Sequence, residues 1–266
     1  MRFILWLMVL IPARLVGGFE FTPMGARPAA MGGAYTASGE DAWVLFSNPA
    51  GLAHNTSFNI SLFSSPAPYG LPELSTSGLA VAFHPGAGTI GAGVRRYGFS
   101  LYHELSGGIS YARSIDPVAL GFTLTCYNVS IQNYGSASTL GIDAGLLVSL
   151  SEHVRWGMAF LNVNAATIGA SHEPLPRRFS AGFSYQPAGR SSFFCDMVKD
   201  SGFDADLRAG FEYWIVDAFA IRAGMKNEPS EISGGVGVRW GSLEVDYTYV
   251  SHADLGGSHL ASITFR

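Results

Sequence analysis

From Ser57 to the last residue, apolar and polar side chains alternate along the chain in short runs. Leu243, Val245, Tyr247 and Tyr249 share one face of their run, and Ser242, Glu244, Asp246 and Thr248 share the other. Ile232, Val236, Val238 and Trp240 oppose Ser233, Gly235, Gly237 and Arg239 in the same way. Phe179, Ala181, Phe183 and Tyr185 oppose Arg178, Ser180, Gly182, Ser184 and Gln186. Successive side chains of a strand point to opposite faces, so each run predicts a strand with one apolar face and one polar or glycine face. Turn signals divide the region into fourteen runs, near 57–64, 76–84, 88–97, 106–114, 118–131, 138–150, 154–166, 177–186, 190–199, 204–215, 218–226, 231–240, 242–251 and 257–266. Each averages roughly 15 residues, room for a tilted membrane-spanning strand of about 9–11 residues and its connection.

The connections alternate too. HPGAG, IDP, SEH, QPAG, IVD and WGS are tight, whereas SSPAPYGLPEL, FSLYHEL, QNYGSAS, ATIGASHEPLP, KNEPSE and SHADLGG are longer, with KDSGF a short exception. Bacterial barrels have short periplasmic turns and longer outer loops, and an even strand count leaves both chain ends in the periplasm. The expected fold is all-β: a transmembrane antiparallel up-and-down barrel of about fourteen strands. A soluble β-sandwich also alternates and is the competing fold.

Composition bears on that choice. Charged residues make up only 14% of the chain, against about 25% in soluble domains. Glycines number 33 and aromatics reach 13%, yet past residue 18 there is no apolar run of the length a spanning helix needs. Scarce charge with period-2 patterning fits a membrane barrel better than a sandwich. A net charge of −4 gives no basic field for nucleic acid. Cys126 and Cys195 have no metal-ligand spacing and read as two free thiols. No nucleophile–base set or metal-ligand cluster stands out, so neither an enzyme nor a cofactor is expected.

The chain starts MRFILWLMVLIPARLVGG. A positive Arg2, an apolar stretch from Phe3 to Ile11 and small residues at Val16 and Gly18 match a cleaved secretory signal peptide over 1–18. Residues 19–56 then differ from all that follows. Ser38-Gly39-Glu40-Asp41 predicts a helix start with Ser38 as cap and Asp41 at the third helical position. Ala42 to Phe46 would form one or two turns; Asn48 tolerates a left-handed conformation after them, and Pro49 forbids continuation. Gly25, Gly32 and Gly33 allow tight turns. Trp43, Leu45 and Phe46 are too apolar to leave in water. A small-residue segment packed inside a barrel, rather than a free periplasmic arm, accounts for this. The strand array over 57–266 would form the barrel around it.

Gly25-Ala26-Arg27, Met31-Gly32-Gly33-Ala34, Glu40-Asp41 and Asn48-Pro49-Ala50-Gly51-Leu52 occur in that order. This series resembles the N-terminal signature of the PorV/PorQ family of outer-membrane proteins, and its Asn-Pro-Ala is similar to that of the related FadL-type transporters. The resemblance implies a fourteen-stranded outer-membrane barrel with a lumen hatch. Its hatch or gate residues would be Gly25, Gly32, Gly33, Asp41, Trp43, Phe46, Asn48, Pro49 and Ala50. It further implies FadL-like passive transport of small hydrophobic solutes, or alternatively a non-transport accessory role in a type IX-like secretion and surface-attachment system. In the second case the outer loops Ala67–Leu74 and Ala170–Leu175 would meet secretion-system proteins. Outer-membrane lipid is the implied surrounding, and the oligomeric state stays open.

Seven charged residues of the later strands fall on the expected lumen face: Asp206, Arg208, Glu212, Arg222, Arg239, Glu244 and Asp246. Asp143 and Arg155 join them from earlier strands. Both signs are present, and structural ion pairing bracing the wall is the expected role, with a polar gate as the alternative.

Overall fold

The computed structural model describes residues 18–39, 41–187 and 189–266. The signal-peptide reading of 1–18 therefore lies, Gly18 apart, outside the described residues, as does Glu40 of the acidic pair.

Fourteen antiparallel strands close into a barrel. In chain order they begin with β1 (Asn59–Ser65), β2 (Thr76–Phe83), β3 (Thr89–Gly98), β4 (Tyr102–Ile115), β5 (Val118–Ile131), β6 (Gly135–Ser149) and β7 (Val154–Leu161). After a short ribbon of β8 (Thr167–Ile168) and β9 (Glu173–Pro174), the ring continues with β10 (Arg178–Tyr185), β11 (Ser191–Asp200) and β12 (Ala205–Val216). It finishes with β13 (Phe219–Asn227), β14 (Ser230–Trp240), β15 (Leu243–His252) and β16 (Gly256–Phe265). Neighbours in sequence pair throughout, and β16 returns to β1 with Phe265 opposite Ile60 and Ala261 opposite Ser64. Closure leaves the ring itself without a free edge. The sandwich alternative is excluded on two counts: there is one ring, and the apolar rows are not buried between sheets. Leu243, Val245, Tyr247 and Tyr249 are exposed, while Glu244, Asp246 and Thr248 between them are buried. Among the described residues no helix is long and apolar enough to cross a membrane.

Three expectations need correction. First, most connections at the second end are not long. Residues 99–101, 132–134 and 253–255 suffice, because Tyr102–Leu105 pairs with Asn128–Ile131 and extends the hairpin instead of looping. Only 66–75 and 162–177 are extended connections, and the second carries the ribbon. The run 154–166 accordingly stops being strand at Leu161.

Second, the helix start is shifted. The helix is a 3-10 turn over Ala42–Phe46 whose cap is Asp41, not Ser38: Asp41 Oδ1 accepts from the Trp43 backbone N–H at 3.0 Å. A carboxylate one residue before the first turn satisfies an orphan amide directly. Third, Asn48 does not use the left-handed conformation it tolerates: it is extended (φ −146°) and caps a further 3-10 helix over Pro49–His54 by accepting from Ala50 N–H. Pro49 thus starts a helix as well as ending one, since its missing N–H falls where no intrahelical partner exists.

A helix that the sequence reading missed, α1 (Ala26–Ala30), precedes these. Gly32 and Gly33 end it at φ 64° and 75°, with Gly33 N–H returning to the Pro28 carbonyl at 3.0 Å. Left-handed residues at this point are the ordinary way to close off a helix.

Candidate functional site

The N-terminal segment runs inside the ring. α1 contacts β13 to β16, the Ala42–Phe46 turn contacts β1 to β3, and the Pro49–His54 helix contacts β3 to β6. Touching opposite walls with Ala26, Ala34, Ala42, Val44 and Leu52 fully buried requires a position within the lumen. Inward-facing strand glycines make room for it. A Cβ on Gly121 would collide with Pro49 and Ala50, on Gly145 with Asn48, on Gly157 with Thr36 and on Gly224 with Met31 and Gly32. The polar-or-glycine face of the strands is therefore the surface against which this segment packs.

Hydrogen bonds fix the segment to the wall. Thr248 Oγ1 donates to the Ala26 carbonyl at 2.6 Å, and Ala26 N–H donates to Ser262 Oγ at 3.2 Å. Ser233 Oγ accepts from Gly32 N–H and donates to the Ala30 carbonyl. Asp196 accepts from the Tyr35 and Thr36 amides at 2.8 Å each. Asn48 Nδ2 donates to the carbonyls of Thr36 and Leu146, at 2.7 and 3.0 Å. One side chain thus joins two parts of the segment to β6.

Charge is concentrated around Arg27. Its guanidinium makes a two-point contact with Glu212, Nε to Oε2 at 2.8 Å and the second terminal nitrogen to Oε1 at 2.7 Å. It also reaches Asp41 at 3.3 Å. Arg222 shares Glu212 from the other side at 2.6 Å and pairs with Asp246 and Glu244. Glu244 takes Arg239 at 2.9 Å and Arg266 at 3.2 Å. Planar two-point contacts of this kind are the strong, geometrically specific ones. Six of the seven expected lumen charges are buried and Arg239 is partly so. Asp206 and Arg208 pair with each other at 2.6 Å, apart from the Arg27 cluster. Asp143 is buried, held by Thr125 and the Asn162 amide, and Arg155 is partly buried beside Gln186. Sequence reading missed Arg27 as the hub, Asp196 as a wall anchor and Trp214, over which Arg239 stacks at 4.2 Å. Arg27 was visible as the one cation in a small-residue stretch.

Of the expected gate residues, Trp43 and Phe46 stack (centroids 6.2 Å apart) and Trp43 meets Phe63 edge-on at 6.0 Å. Gly25 lies against the Trp43 ring. Asn48, Pro49 and Ala50 sit against Gly121 and Gly145, Gly32 lies on the Met225 backbone and Asp41 meets Arg27, so the nine residues are spread along the segment and do not form one cluster. No group of acidic, His or Cys side chains able to hold a metal occurs among the described residues. Both cysteines are free and point outward.

Of the spaces that adjoin the segment or wall, three bear on a path for a solute. A mouth cavity of about 130 Å³ lies between Ala29, Phe63, Val250 and Leu260 below and Pro68 and Tyr69 above. Tyr69 donates to Glu231 at 3.3 Å, and burial, then the Glu231 carboxylate, pushes its hydroxyl up to about 12, so it stays a donor. An interior cavity of about 50 Å³ lies among Met24, Leu45, Phe46, Arg95, Gly108 and Tyr127. On the outer surface an apolar groove of about 450 Å³ runs over Val94, Gly107, Gly108, Ile109, Leu124 and Cys126. The last two both border Gly108.

No protein-family model matches the chain, and no curated protein does. Solved structures do match in fold. The Ralstonia pickettii toluene transporter TbuX aligns over 94% of this chain and 100% of its own, at 14% identity and a TM-score of 0.69. The CymD monoaromatic hydrocarbon channel aligns over 93% and 98%, at 14% identity and 0.68. A Pseudomonas aeruginosa FadL homologue aligns over 92% and 99%, at 14% identity and 0.64. The chain is thus a closed fourteen-stranded barrel of the architecture seen in FadL-type hydrophobic-compound channels. At this identity the likeness is one of fold.

Proposed function

We propose that the protein is an outer-membrane β-barrel through which small hydrophobic solutes diffuse passively, with residues 19–56 acting as a hatch in the lumen. The observation that carries this reading is the thin wall between the interior cavity and the outer groove. Gly93 and Gly108 face each other across β3 and β4 and put no side chain into the lumen. From inside, Phe46 and Leu45 rest against Gly93, where an added Cβ would lie 2.7 Å from Phe46 Cζ. From outside, Gly107 leaves the groove open. A solute that displaced Phe46 would meet the glycine backbone, with Thr123 and Thr125 beside Gly108, before reaching the outer surface.

Further support is physical. Outward rows of Leu, Val, Phe and Tyr suit lipid, and a wall without edges suits a bilayer. The names of two fold neighbours, a toluene transporter and a monoaromatic hydrocarbon channel, agree with a compact apolar solute. Under this reading residues 1–18 are the export signal, 57–266 the barrel, and the tight connections face the periplasm. Gly25, Gly32, Gly33, Asp41, Trp43, Phe46, Asn48, Pro49 and Ala50 shape the hatch, by the PorV/PorQ resemblance. The lumen charges anchor it.

The test is uptake of radiolabelled toluene by a Gram-negative host lacking its own hydrophobic-solute channels. Expression of the protein raises uptake several-fold. Uptake at the level of the empty host, with the barrel folded in the outer membrane, would sink the transport reading and leave the accessory role in secretion.

A further inference from the structure

Arg95 lies on the inward face of β3, directly opposite Ser106 of β4, which in turn faces Tyr127 of β5. Its side chain is 8% exposed and borders the interior cavity of about 50 Å³. Every other strongly buried arginine here, namely Arg27, Arg178, Arg208 and Arg222, has a carboxylate on its guanidinium. Arg95 has none among the described residues, nor any hydrogen-bond acceptor; its Nε is enclosed without a partner. Its guanidinium carbon lies 5.6 Å from the centroid of the Tyr97 ring, a cation–π contact that accepts no hydrogen bond in the guanidinium plane.

Of the acids nearby, Glu20 acts on Arg95 only through space, and Glu104 and Asp143 hold hydrogen bonds of their own. Glu104 accepts from the Phe19 amide at 2.8 Å and from Tyr102 at 2.6 Å. Asp143 accepts from Asn162 N–H at 2.7 Å and Thr125 at 3.0 Å. A guanidinium offers five donors and no acceptor, and leaving it buried without a partner is costly. Native chains keep such a group where something else completes it.

We propose that Arg95 recognises a solute: a compact apolar molecule carrying one sp2 oxygen acceptor, as a carboxylate or a carbonyl. The cavity has room for such a head group, being several times the space one water needs. Phe21, Met24, Leu45 and Phe46 form its apolar side and suit an apolar body, while Thr125 and the hydrogen-bonded Asp143 lie on its polar side. Position adds to this: Leu45 and Phe46 are also the side chains that cover Gly93, two residues from Arg95 on the same face. An acceptor-bearing solute would thus be held next to the thin wall, whereas a bare hydrocarbon would leave the guanidinium unsatisfied. A site built to hydrogen-bond a substrate discriminates strongly against an analogue lacking the group. This inference rests on the transport reading for its biological meaning, but the binding it predicts does not.

The experiment is calorimetric titration of the full folded protein in detergent with toluene, acetophenone and benzoate, one ring with three head groups. Acetophenone or benzoate binds at least tenfold more tightly than toluene, and Arg95→Met removes that advantage while toluene still binds, as tightly as before or more so. A preference for benzoate identifies the carboxylate, and one for acetophenone the carbonyl. Equal affinities for all three in the unaltered protein, or an advantage that survives Arg95→Met, would overturn the proposal. Should Arg95→Met fail to fold, Arg95→Lys keeps the charge and loses the fork, and the three-ligand comparison in the unaltered protein still decides. Binding that depends on Arg95 without toluene uptake in the host would sink the transport reading alone.

Discussion

Arg27 and Glu212 are 185 residues apart in sequence and joined by two hydrogen bonds in the lumen, with Arg222 closing the other side of Glu212. Removing one member of such a cluster strands the charges that remain. Glu212→Gln should cost about 3–5 kcal/mol of barrel stability, the usual result of breaking a buried pair from one side. Urea unfolding in detergent, followed by heat-dependent gel mobility, measures it; a loss within error of zero would mean that water, not Glu212, satisfies the two arginines. The charges on the lumen face were legible in the sequence because strand alternation assigns them a side. Their partners were not, since register across non-adjacent strands and the path of the segment decide who meets whom. The unpartnered Arg95 could not be distinguished in sequence from Arg208, which finds Asp206 two residues away.

At the scale of elements, the strands were read almost to the residue: 118–131 is β5 as expected, and most others shift by one or two positions. Period-2 alternation bounded by Gly, Pro and Asp turns is a strong local signal. The hairpin extensions were missed because Tyr102–Leu105 and Gly135–Ala137 lack strict alternation and are strand through cross-strand pairing. The short helices were misplaced for a different reason. Several residues of Ser38-Gly39-Glu40-Asp41 are competent caps, and tertiary contact selects among them. Outward positions carry a separate prediction. Leu124 is 54% exposed midway along β5 and borders the outer groove. In a bilayer, Leu124→Arg should destabilise the barrel by roughly 2–4 kcal/mol. Unfolding from lipid vesicles measures this, and an unchanged midpoint would indicate that the face meets water.

The whole molecule is a closed ring around its own N-terminal segment, polar and glycine-rich within and apolar without. Whether that outer surface meets lipid underlies every functional step above: a solute leaving beside Gly108 must have an apolar phase to enter. The chain supplies its own reporters. Cys126 faces outward with Gly107 and Leu140 as its strand neighbours, and Cys195 faces outward between Phe183 and Ala209. An environment-sensitive fluorophore attached to either thiol, in protein folded into vesicles, reads the surrounding phase directly. Blue-shifted emission, quenched by nitroxide-bearing lipid and untouched by aqueous iodide, is the predicted result. Emission quenched by iodide and indifferent to nitroxide lipid would contradict the account.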